Sequence, residues 1–182
     1  MSSQTFSKDD EPIFFWRPHE EYGFLGQWYP SPFTTQSPLS PSETVTFPNC
    51  ETYMMFHKAI LFDDAEVAQE ILEAGEDPKM VKALGRKVKG FDATIWDERK
   101  FGIVVDGNRE KFGQNGDLRE LLVKTEGREL IEASPLDRIW GIGFGKTNAM
   151  KMQNKRRWGK NLLGKALMQV RDELVAARKA KT

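Results

Sequence analysis

Between residues 49 and 125 the chain carries one helix signal after another, and this run constrains the fold more than any other feature. Asn49 stands at a cap position, where its side-chain oxygen can accept an orphan amide, and it predicts a helix over residues 50–62. Residues 64–74 form a second helical pattern ended by Gly75, and Pro78 opens a third with Val81, Leu84 and Val88 along one side. A long pattern over residues 93–112 follows, with Trp96, Ile103 and Val104 as its larger apolar positions, although Gly102 and Gly107 weaken its continuity. Residues 118–125 predict a short helix with Leu121 and Leu122 inward. A last helix, from Trp158 or Gly159 to about Lys179, sets Leu163, Leu167, Val170 and Leu174 at helical spacing. The expected fold is mainly α.

The start of the chain differs. Residues 1–11 are polar and charged apart from one Phe and are expected to form a disordered tail, leaving residues 12–180 as a single domain. Over residues 12–47, aromatic side chains such as Phe14, Trp16, Tyr22, Trp28 and Phe33 are interleaved with Pro18, Gly23, Gly26, Pro30, Pro38 and Pro41. That mixture predicts a few short strands and loops. The rings either pack into a core or stack on a flat ligand, and the sequence leaves both open.

Composition removes several classes of function. Lys plus Arg and Asp plus Glu balance at 27 each, so no global field favours a polyanion, although a local basic patch remains available. Cys50 is the one cysteine, which excludes an internal disulfide framework and suits a reducing compartment, the cytoplasm or nucleus. As a free cysteine it is expected to be a small buried side chain. With His19 and His57 the only histidines, no zinc site is expected. No apolar run is long enough for a membrane span.

Carboxylates are left as the acid/base groups. Residues 129–133 predict a short extended piece leading into a loop over 132–143, Glu132-Ala-Ser-Pro-Leu-Asp137-Arg-Ile-Trp140-Gly141-Ile-Gly143, too rich in Pro and Gly for a regular element. Residues 148–157 are polar and basic and read as an exposed loop. Earlier, Glu51 and Lys58 lie seven residues apart and share one face of the expected helix among apolar neighbours, where a charge needs a partner or a task. Gly85 before Arg86 permits close approach, and Arg suits bidentate phosphate contact. No Walker or dinucleotide-binding loop is present. The inventory is therefore Glu51, Glu132, Asp137, Lys58, Arg86, Trp96 and Trp140. Carboxylates beside stacking rings suit cleavage of an N-glycosidic bond through an oxocarbenium-like ribose, and equally a binding module with no reaction.

The run Glu51-Thr-Tyr-Met-Met-Phe-His-Lys58, then Leu84-Gly-Arg86-Lys-Val88, residues 91–97, Lys111-Phe112-Gly-Gln114-Asn115, the loop over 132–143 and Asn161-Leu-Leu-Gly164 resembles the NADAR superfamily, also called YbiA-like, in the family's motif order. The resemblance implies a mainly helical YbiA-like fold and an N-glycosidase that uses no cofactor or metal. It implies a substrate containing ADP-ribose, including guanine bases of ADP-ribosylated DNA or RNA, or alternatively ribosylamino-pyrimidine phosphates of riboflavin synthesis. Carried over by position, Glu51, Asp137 and Lys58 are the expected catalytic residues. Trp96, Trp140, Glu132, Gly141 and Trp28 are expected to contact substrate, and Arg86 and Asn161 its phosphate or ribose. One departure stands out: where the family often has Leu-Ser-Asn-Phe, this chain reads Leu25-Gly26-Gln27-Trp28, which implies altered choice of base or ribose.

Overall fold

The computed structural model describes residues 11–40 and 42–180, apart from the side chain of Met152. The tail expected over residues 1–11 lies outside the described residues except for Glu11, which is exposed, and Pro41 lies outside them too. In chain order the elements are β1 (Ile13–Phe15), a 3-10 turn (Gly23–Leu25), β2 (Phe33–Gln36), β3 (Thr44–Phe47), α1 (Cys50–Leu61), α2 (Ala65–Glu73), α3 (Pro78–Gly85), α4 (Ala93–Gln114), α5 (Gly116–Val123), β4 (Leu130–Glu132), α6 (Lys146–Ala149), α7 (Met152–Lys155) and α8 (Leu162–Lys179). The chain is mainly helical with a few short strands, as expected. Its described residues form two compact units: Gln27–Leu118, and the segments before and after it.

In the mid-chain unit, α1 packs against α2, α3 and α4. Helix starts follow their caps: Asn49 Oδ1 accepts from Thr52 N at 2.9 Å, and Asp64, Asp77 and Asp92 cap α2, α3 and α4 in the same way. Phe47, Phe56, Ala59, Ile71, Val81, Val104 and Phe112 fill the core. Gly102 and Gly107 do not interrupt α4, because its partners hold it across a propensity deficit of only about 1 kcal/mol per glycine. Antiparallel β2 and β3 pair Phe33 with Phe47 and Gln36 with Thr44. The Gln114 side-chain amide ties this hairpin to α4, donating to Thr34 O at 2.7 Å and accepting from Thr34 N at 2.9 Å.

In the unit built from the two ends of the chain, β1 and β4 pair in parallel, with Ile13, Phe15, Leu130 and Ile131 all buried. Helix α8 packs on β4. A Cβ at Gly164 would lie 2.1 Å from Leu130 O, so only glycine allows this approach.

Three local expectations are corrected. Leu121 is 42% exposed while Leu122 is buried, since α5 presents a single narrow face. Val88 is buried but lies beyond α3, which stops at Gly85. Residues 148–157, read as an exposed loop, contain the end of the one-turn helix α6 and all of α7, both too short to produce a periodic pattern.

Candidate active site

The candidate residues divide between the two units, and each set is described within its own unit. In the mid-chain unit, Glu51 lies in the first turn of α1 and is only 4% exposed, amid buried Tyr53, Met54 and Met55. Its backbone amide donates to Gln27 O at 3.1 Å. Lys58 sits two turns further along the same helix, roughly 10 Å away by helical rise. The two therefore share a face of the helix.

Lys58 Nζ donates to Gly85 O at 2.7 Å and stands 4.3 Å from the centroid of Phe91 and 5.6 Å from that of Trp96. Burial, and then the neighbouring Arg86 guanidinium, lower its pKa from the ordinary lysine value. Lys58, Arg86 and Trp96 thus lie together. Phe91, which opens the 91–97 motif but is not among the expected site residues, joins them and is 47% exposed. Arg86 is exposed at the end of α3. The close approach that Gly85 allows is to Met55, whose Sδ lies 2.1 Å from where a Cβ would be. Trp28 is half-buried, with Lys82 Nζ 6.0 Å from its ring centroid.

Behind Glu51 lies a polar cluster that helix periodicity could not reveal. Asn108 is fully buried and donates through Nδ2 to Gln27 Oε1 at 3.0 Å and Val104 O at 2.8 Å. Cys50, next to Glu51, is buried as expected; desolvation pushes its thiol up to about 11, which makes it a poor nucleophile. Lys111 is fully buried, and burial lowers its pKa to about 8.

In the other unit the loop after β4 is closely tied down. Asp137 Oδ1 accepts from Ile139 N and Trp140 N, both at 2.8 Å, so the carboxylate shapes the turn that presents Trp140. Gly141 passes so close to the end of β4 that a Cβ would lie 2.8 Å from Glu132 O. Ile142 N donates to that same carbonyl at 3.0 Å, and Ile142 packs with Ile131 and Ala149. Asn161, in the left-handed region at φ 51°, accepts from Glu132 N at 3.0 Å and donates to Leu130 O at 2.9 Å. Glu132, Asp137, Trp140, Gly141 and Asn161 are thus assembled around one loop. The Asn161 amide is engaged there with the strand on both its oxygen and its nitrogen. Among the described residues no cluster of three or more His, Cys, Asp or Glu side chains could hold a metal.

The fold is that of YbiA: the solved structure of the Escherichia coli protein of that name superposes with a TM-score of 0.71 at 26% identity, covering 97% of this chain and 91% of that one. Residues 14–175 match the NADAR domain, and the chain belongs to that family. An N-glycosidase of Acanthamoeba polyphaga mimivirus is 44% identical over 82% of this chain and 86% of its own length. The N-glycosidase YbiA of Escherichia coli is 28% identical over 91% of this chain and 89% of its own. These relatives support N-glycosidase activity in general terms.

Proposed function

We propose that the protein hydrolyses the N-glycosidic bond between ADP-ribose and guanine. Family membership supplies the reaction type, and the observation that supports a site here is the Glu51 carboxylate, 4% exposed in the first turn of α1 with Lys58 on the same helical face. In this reaction the ribose–nitrogen bond breaks with its electron pair leaving on the base. The ribose passes through an oxocarbenium-like state, and water adds to the anomeric carbon. A carboxylate, Glu51 or Asp137, stabilises the developing cation and takes the proton from water. Lys58, its pKa lowered by burial and by Arg86, is suited to give a proton to the departing base. Trp96, beside Lys58, offers a flat face for base or ribose.

The test is incubation with ADP-ribosylated guanosine and detection of free ADP-ribose. Full activity in both Glu51→Gln and Asp137→Asn would refute the assignment. A second reading draws on two relatives named as riboflavin biosynthesis proteins, although this chain matches only 39% of the length of the Vibrio vulnificus protein, at 32% identity, and 25% of that of the Zea mays one, at 29%. Consumption of a ribosylamino-pyrimidine phosphate without release of ADP-ribose would favour it. Binding of ADP-ribose in calorimetry with no turnover of either substrate would make the protein a reader instead of a hydrolase.

A further inference from the structure

Gln27 is 8% exposed, and its side-chain nitrogen Nε2 is buried with no hydrogen-bond partner among the described residues. An amide donor buried unpaired is costly to a folded chain, so the group calls for a partner.

Its neighbours fix which way the amide points. Val104 O can only accept, so the Asn108 atom 2.8 Å from it is Nδ2, and Asn108 Oδ1 accepts from the Cys50 thiol at 3.8 Å. The other proton of Asn108 Nδ2 goes to Gln27 at 3.0 Å, which must present its oxygen there. A flip of Gln27 would set donor against donor. Nε2 therefore lies on the side of the amide away from Asn108, with both its protons available. From the same backbone an Asn, one methylene shorter, would not reach Asn108, so the arrangement depends on the Gln found here.

The backbone of Gln27 is tied to a candidate site residue, since its carbonyl accepts from Glu51 N at 3.1 Å in the first turn of α1. Asn108, which orients the amide, meets Cys50, the residue before Glu51. An ionised carboxylate only accepts and an amide NH2 only donates, so the two together match a hydroxyl group, which does both.

We infer that Gln27 is a specificity-determining residue whose Nε2 donates to the 2-hydroxyl of the reacting ribose, the hydroxyl next to the anomeric carbon. A donor on the hydroxyl oxygen leaves the hydroxyl proton for Glu51, and that proton is given more strongly as positive charge develops at the neighbouring carbon. The inference rests on the proposed reaction for the identity of the sugar. The orientation of the amide does not.

A cycle of protein and substrate changes tests it. Wild type and Gln27→Met are assayed on ADP-ribosylated guanosine and on the counterpart whose reacting sugar is 2-deoxyribose. Gln27→Met should lose roughly tenfold or more in kcat/KM on the ribose substrate and less than about twofold on the deoxy one. Its melting temperature should stay close to that of wild type, because one unpaired donor is exchanged for another, the freed proton of Asn108. Gln27→Glu keeps an acceptor for Asn108 but donates only when its carboxyl is protonated, so its rate relative to wild type on the ribose substrate should rise as pH falls. If Gln27→Met fails to fold, Gln27→Glu carries the same cycle. Equal losses on the two sugars would put the donor on water or on the base, and lost melting temperature with unchanged rates would make the amide structural. Either result, or a rate ratio in Gln27→Glu that does not move with pH, overturns the inference. If the wild type hydrolyses neither substrate, the proposed reaction fails, and the cycle is read in calorimetry with ADP-ribose and its counterpart lacking that hydroxyl. A loss of affinity in Gln27→Met confined to the ribose ligand then keeps the inference, while no binding or equal losses overturn it.

Discussion

Lys58 Nζ reaches across from α1 to donate to the carbonyl of Gly85, one residue before Arg86, at 2.7 Å. One hydrogen bond thus fixes the ammonium between the exposed Phe91 ring and Trp96 while leaving two of its protons for other acceptors. Replacing Lys58 by Met keeps most of the stem and removes the charge. Turnover of ADP-ribosylated guanosine should fall roughly 10²-fold in steady-state assays. Phe91→Ala should raise KM with a smaller effect on kcat, since it removes a stacking face.

Asp137 holds its turn, and in the proposed reaction it is also one of the two carboxylates that could act on the ribose. Its Oδ1 holds the amides of Ile139 and Trp140, a role that Asn can retain. Asp137→Asn should therefore preserve the melting temperature and lower kcat by roughly 10²-fold, while Asp137→Ala should lose activity and also about 1–2 kcal/mol of stability. Matching melting curves for Ala and wild type would show that the turn does not need this side chain.

Buried Lys111 predicts an alkaline rise in stability. Its folded pKa is about 8 against an ordinary 10.5, so both states are protonated below pH 8, and above it the unfolded chain binds the extra proton. Stability then rises with pH. Cys50 opposes this from pH 9 upward, because its thiol, raised from 9.0 to about 11, keeps its proton in the folded state longer than in the unfolded one. Urea unfolding should show a gain of up to about 1 kcal/mol between pH 8 and 9, then a plateau. Lys111→Met should abolish the gain.

Glycine contributes in opposite senses on two helices. Nothing lies within 4 Å of a Cβ at Gly102, inside α4, so Gly102→Ala should stabilise the protein by roughly 0.5–1 kcal/mol. Gly164→Ala drives a methyl onto Leu130 O and the Asn161 amide and should cost about 2 kcal/mol or more. Thermal unfolding of the two variants compares them directly.

The helices were legible because their signals are local: Asn49, Asp64 and Pro78 mark starts that α1, α2 and α3 obey to within a residue or two. Lys58 and Glu51 were legible because seven residues return to one helical face. Asn108 and Lys111 were not, since a buried polar residue on α4 has the same appearance in sequence as a solvated one until its partners are known. Phe91 escaped for a related reason, as it precedes the Asp92 cap and belongs to no periodic pattern. The pairing of β1 with β4 joins segments more than a hundred residues apart, which no short motif encodes.

The Asn161 amide has a consequence for how this protein behaves beside its neighbours in a crowded solution. On the side of β4 away from β1, Leu130 O and Glu132 N are taken up by that amide and Glu132 O by Ile142 N. One side chain and the Ile142 amide thus take the place of a third strand. The sheet stops at two members and offers no open template on that side for a stray extended peptide or for edge-to-edge assembly of one molecule on another.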